Sequence, residues 1–156
     1  LTIAADAAVA IGNFAIDSSR QKLLCKLGAF VPLTKLLTSN SQECKLYSCR
    51  ALSRLMIPIV NKSLCADSGS LIFNLIKLCM SQNKDILRYA SMVICNISSY
   101  DENLQSDILE SNGVEVLLSV GKSECDVTAN SCIKALCNLA MNKKNNSRII
   151  NEGCLL

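Results

Sequence analysis

The chain has 156 residues, half of them hydrophobic, and a formal net charge of +3. That is ample apolar material for one packed core and too much for a disordered segment, while the small charge does not by itself point to nucleic acid. No apolar run reaches the roughly 18 residues of a membrane span, and the opening LTIAADAAVAIG lacks a basic lead and is interrupted by Asp6, so no signal peptide is read there.

Apolar residues recur at helical spacing along the chain, and strand-like alternation is scarce. The first expected helix covers about Thr2–Ala15. Asp17-Ser18-Ser19 then supplies helix-start chemistry for a short amphipathic helix, Ser18–Leu27. Gly28 follows, where the chain must turn sharply and a side chain would be in the way. A second helix is expected over Val31–Thr38, and the polar break Ser39-Asn40-Ser41 leads into a long third one, Gln42–Met56. Asn40 with Glu43 resembles a capping box at its start. The same order then recurs. Helices are expected over Asn61–Asp67, Leu71–Met80 and Lys84–Ser98, next over Glu102–Glu110, Val114–Val120 and Asp126–Ala140, and last over Lys144–Asn151. In the long helices Ile86, Leu87, Ala90, Val93, Ile94 and Ile97, and again Val127, Ile133, Ala135, Leu136 and Leu139, form the apolar face. Ile57-Pro58-Ile59 lengthens one turn and makes that unit the most divergent.

The recurrence is a period of about 42 residues. The segments AAVAIGNFA, SCRALSRLM, ASMVICNIS and CIKALCNLA align on Asn13, Arg54, Asn96 and Asn138. Ser39, Ser81 and Ser123 close each second helix, and Gly28, Gly69, Gly113 and Gly153 precede each apolar run. A fixed period in this range marks a helical solenoid, whose units each leave an apolar face for the next to cover. The chain lacks an initiator Met and is expected to be an excised piece, with apolar faces open at both ends and Leu155-Leu156 beginning a further helix.

The 10 cysteines contain no C-x-x-C pair, and there is no histidine. They are expected to be reduced, metal-free thiols packed as small hydrophobes, which implies a reducing compartment, the cytoplasm with the nucleus as a further possibility. The missing histidine removes the commonest general base. No P-loop, G-x-G-x-x-G or G-x-S-x-G motif occurs either. A protein without enzyme activity or cofactor is therefore expected.

G-A-F-V-P-L-T-K-L-L at 28–37 resembles the turn and second helix of the armadillo repeat, with Pro32 where that family commonly has proline. AAVAIGNFA and CIKALCNLA resemble its third helix, which ends in A-x-x-A-L-x-N-L-A. The resemblance covers essentially the whole chain, and implies an all-α, right-handed α-solenoid of three-helix armadillo repeats. On this parse 1–16 is the third helix of a truncated repeat, 17–57, 58–99 and 100–141 are repeats, and 142–156 begins another.

Third helices of armadillo proteins line a concave groove in which the asparagine binds the backbone of an extended partner peptide. The resemblance gives that role to Asn13, Asn96 and Asn138, with a purely structural tie between helices as the competing role. Residues four and eight before each landmark share its face: Val9 and Ala5, Arg50 and Leu46, Met92 and Arg88, Lys134 and Asn130. Arg50, Arg54, Arg88 and Lys134 would make the groove basic, tempered by Glu43 and Asp85 near one rim, with Met92 among them. Nuclear-import receptors of the family pair a tryptophan with the asparagine, and this chain has no tryptophan. It looks more like the β-catenin type, with a basic groove for acidic ligands. The expected function is a protein–protein interaction scaffold that binds an extended, acidic peptide, without small-molecule substrate or membrane. A nuclear-import-type cargo adaptor and a nucleic-acid-binding helical repeat are the rivals; three tyrosines and three phenylalanines leave little for base stacking.

Overall fold

The computed structural model describes residues 2–58, 61, 70–99 and 102–152. Among them are ten α-helices and no strand: α1 (Ile3–Phe14), α2 (Ser18–Lys26), α3 (Phe30–Leu36), α4 (Gln42–Leu55), α5 (Leu71–Leu78), α6 (Lys84–Ser98), α7 (Glu102–Glu110), α8 (Gly113–Val120), α9 (Asp126–Met141) and α10 (Asn146–Asn151). The expected boundaries hold to within two residues for most of these. The last unit differs: its first helix opens as a 3-10 turn at Lys143–Asn145 before α10. The expected helix over Asn61–Asp67 lies outside the described residues except for Asn61, as do Gly69, Gly153 and Leu155-Leu156. No described helix is long and apolar enough to cross a membrane.

The four long helices α1, α4, α6 and α9 pack side by side in chain order, and α4, α6 and α9 each also pack on the second helix of their own unit, α3, α5 and α8. Small side chains let them approach: Ala5, Ala8 and Gly12 on α1, Ser48 and Ala51 on α4, Ala90 and Ser91 on α6, Ser131 and Ala135 on α9 are all buried. Behind them a continuous core runs through Leu33, Leu52, Leu55, Leu75, Ile86, Ile94, Ile108 and Leu117. Val127 and Ile133, expected on the apolar face of α9, are instead about half exposed.

The periodic serines have a local reason. Ser39, Ser81 and Ser123 each accept a hydrogen bond from the backbone N–H two residues on, at Ser41, Asn83 and Cys125, over 3.1–3.2 Å. Each thereby shapes the turn that delivers the N-cap of the next long helix. Ser41 caps α4 by accepting from the Cys44 N–H, and Asn83 caps α6 by accepting from Asp85 and Ile86. The capping residue of α4 is thus Ser41, not the expected Asn40. Cys125, at the same register, makes no capping bond.

The glycines need one correction as well. Gly28 sits at φ +82, a turn that favours glycine. Its register partner 84 residues on is Asn112, at φ 60, and not Gly113. Asparagine tolerates the left-handed region better than other residues with side chains. Gly113 answers a different demand: a Cβ there would lie 2.5 Å from the Ile108 side chain and carbonyl oxygen.

Each first helix carries one buried amide that sequence reasoning did not single out. Gln21, Asn61, Gln105 and Asn145 are all under a tenth exposed. Their side-chain N–H groups donate to the carbonyls of Ala15, Leu55, Ser98 and Leu139, at or near the end of the preceding long helix. The last carbonyls of a helix have no partner within it, and burying one unmet costs about 1–3 kcal/mol. A well-placed amide in the next helix removes that cost.

Candidate functional site

The expected binding residues fall on the long-helix layer as the register requires, but most already have partners. Three of the four landmark positions act alike. Arg54 donates to the Gly12 carbonyl, Asn96 to the Ser53 carbonyl at 2.8 Å, and Asn138 to the Cys95 carbonyl at 3.4 Å and the Ser98 hydroxyl at 3.0 Å. Each acceptor carbonyl lies in the last turn of the preceding long helix. The landmark side chain is therefore a C-terminal cap supplied by the next unit, which is the structural tie weighed above as the competing role.

What remains for a ligand differs between positions. Asn96 keeps one N–H and its side-chain oxygen free of partners among the described residues, and Asn138 keeps the oxygen. Both are half-buried and keep some solvent access. Asn13 is exposed and accepts from Arg50 at 3.3 Å. Met92 is half-buried on α6, and Lys134 is exposed on α9 without an ion pair among the described residues.

The basic face is uneven. Arg88 pairs with Asp85 at 3.0 Å and lies over the Tyr89 ring at 4.6 Å. It lines a cleft of about 740 Å³ where α6 meets α8 and the start of α9, beside Leu87, Glu115, Val116 and Cys125. Asp85 thus tempers the basic face by offsetting Arg88 directly. Arg50 and Arg54 are half-buried and bond only to neutral acceptors among the described residues.

The thiols are not uniformly buried. Cys25, Cys44, Cys49, Cys79 and Cys132 are in the interior, Cys95 is partly covered, and Cys125 and Cys137 are exposed. Cys65 and Cys154 lie outside the described residues. Burial pushes the Cys25 thiol up to about 11 and the Cys79 thiol up to about 12, so both stay protonated and unreactive at neutral pH. No group of metal-ligating side chains occurs among the described residues.

Solved structures share this arrangement. A designed armadillo repeat protein in complex with the peptide (KR)4 matches with a TM-score of 0.83 at 20% identity, over 97% of this chain and 63% of that one. A computationally designed set of armadillo repeat proteins for modular peptide recognition matches with a TM-score of 0.88 at 20% identity, over 96% and 64%. The fold is that of the armadillo repeat. At 28% identity, an engineered protein from the Northeast Structural Genomics Consortium matches with a TM-score of 0.88, over 96% of this chain and 37% of that one. The armadillo solenoid seen here thus spans less than two thirds of each of these neighbours. No protein-family profile and no curated protein matches the chain.

Proposed function

We propose that the chain is a non-enzymatic interaction scaffold, of repeats 17–57, 58–99 and 100–141, that holds an extended, acidic segment of a partner protein along its long-helix face. The observation that carries the reading is the pair Arg50 and Arg54, two half-buried cations without an acidic partner among the described residues. Lys134 adds a third unpaired charge two helices on. Successive packed helices lie about 8–10 Å apart, which is near three residues of extended chain at about 3.3 Å each. The free side-chain oxygens of Asn96 and Asn138 are suited to accept from backbone N–H groups irrespective of ligand sequence. The eight cysteines among the described residues are free, which fits a protein of the cytoplasm or nucleus.

The designed neighbour solved with (KR)4 holds a basic peptide; here the unpaired cations reverse the expected sign. Titration with an acidic peptide and with (KR)4 at two salt concentrations tests this. The acidic peptide is expected to bind more tightly and to weaken as salt rises. Tighter binding by (KR)4 would reverse the assignment, and salt-sensitive binding of a plain oligonucleotide would favour nucleic acid instead.

A further inference from the structure

Arg54 stands where the other units carry asparagine, yet it performs the same structural task. The register needs only a donor to reach the carbonyls of the preceding long helix, and Asn96 and Asn138 meet that need without charge. At 54 the chain supplies a guanidinium, and it places a second one turn earlier, at Arg50. The two donate to adjacent residues at the end of α1, Arg54 to the Gly12 carbonyl and Arg50 to the Asn13 side-chain oxygen at 3.3 Å. Both heads are therefore fixed by neutral acceptors, while most of the five donors on each guanidinium remain unspent.

Two like charges four residues apart on one helix repel each other. The end of α1 has no basic residue of its own and supplies only about half a negative charge from its dipole, which leaves most of the pair's charge unmatched among the described residues. Asp17 is engaged with Arg20 at 3.3 Å. Glu43 is seven residues before Arg50 on α4 and Asp6 seven before Asn13 on α1, roughly 10 Å along each axis, beyond the screening length of about 8 Å at physiological salt. A single carboxylate matches one of the two arginines. A phosphorylated side chain carries about −1.5 to −2 and three acceptor oxygens, and matches both.

We infer that Arg50 and Arg54 form a phosphate-reading subsite, selective for a phosphorylated serine or threonine in the extended partner segment. This rests on the long-helix face being the peptide site. Charge-assisted bonds from a fixed pair of guanidinium groups are about twice as strong as neutral ones, so selectivity is set here, while Arg88, already paired with Asp85, contributes little to it.

The test uses degenerate peptide pools with one fixed central residue: phosphothreonine, threonine or glutamate. Binding to the whole chain is read by fluorescence polarisation. The phosphothreonine pool is expected to bind roughly tenfold more tightly than the threonine pool, with glutamate between them. Arg54→Asn installs the residue that serves at 96 and 138, keeping a donor for α1 while removing the charge. It is expected to narrow that gap to about twofold, because the phosphothreonine pool loses more affinity than the threonine pool. Arg50→Gln provides a second, independent removal. Equal binding of phosphothreonine and threonine pools by the unaltered chain would overturn the subsite while leaving peptide binding intact. An undiminished gap in both variants would overturn it too. Failure of every pool to bind would overturn the peptide site and the subsite together.

Discussion

Two junctions between long helices do the same work with different chemistry. Where α4 meets α1, the tie to the preceding helix is a cation, Arg54 on the Gly12 carbonyl. Where α9 meets α6, it is a neutral amide, Asn138 on the Cys95 carbonyl and the Ser98 hydroxyl. The fold demands a donor at that register and is indifferent to its charge, so charge there is available for function. The α6–α9 junction has a second requirement. Buried Gln105 donates to the Ser98 carbonyl and accepts from Asn142 and Asn145 at 3.1 Å each, joining two units through one amide.

The largest expected effect comes from breaking that inner amide. Gln105→Ala orphans the Ser98 carbonyl and two donors, and is expected to destabilise the chain by about 3 kcal/mol in urea unfolding. A loss below about 1 kcal/mol would show that water takes over, and that the junction is not held from inside. Asn96→Ala removes an outer tie at a half-buried site and is expected to cost about 1–2 kcal/mol. Arg54→Asn, which exchanges one donor for another, is expected to cost less than about 0.5 kcal/mol. If the two cost the same, charge at this register is structural after all. Cys125→Ser is expected to stabilise by about 0.5–1 kcal/mol, because it restores the oxygen cap that Ser41 provides for α4; no gain would mean the turn before α9 cannot present a cap. The smallest effect belongs to Lys144→Ala. Its pair with Glu102 is short, 2.7 Å, but both side chains are well over half exposed, and such pairs contribute about 0–1 kcal/mol. Thermal melts at low and high salt would detect it.

Helix order and extent were legible because the 42-residue beat fixes them several times over. A single helix of seven residues such as α3 would be weak on propensity alone, yet its phase against α5 and α8 identifies it. Caps were less legible. Ser39, Asn40 and Ser41 all have capping chemistry, and only the hydrogen bond from the Cys44 N–H to the Ser41 hydroxyl decides which one serves. The site was legible in position but not in allegiance. An asparagine amide that would bind a peptide backbone is chemically the same as one that binds a neighbouring helix, and only geometry shows Asn96 already committed to the Ser53 carbonyl. Gln21, Asn61, Gln105 and Asn145 escaped notice because a polar residue in a short amphipathic helix reads as surface. Their recurrence six or seven residues after the carbonyl each one caps was the available signal.

The tie from each landmark residue spans 42 or 43 residues, whichever pair of units it joins. The entropy of closing such a span depends on its length alone and grows only slowly with it. Every added unit therefore faces the same closure cost as the one before, and the mean separation of contacting residues relative to chain length falls as the array grows. Folding speed in small domains tracks that ratio. An array of this kind can lengthen its surface for a partner without lengthening the search that each unit makes for its place.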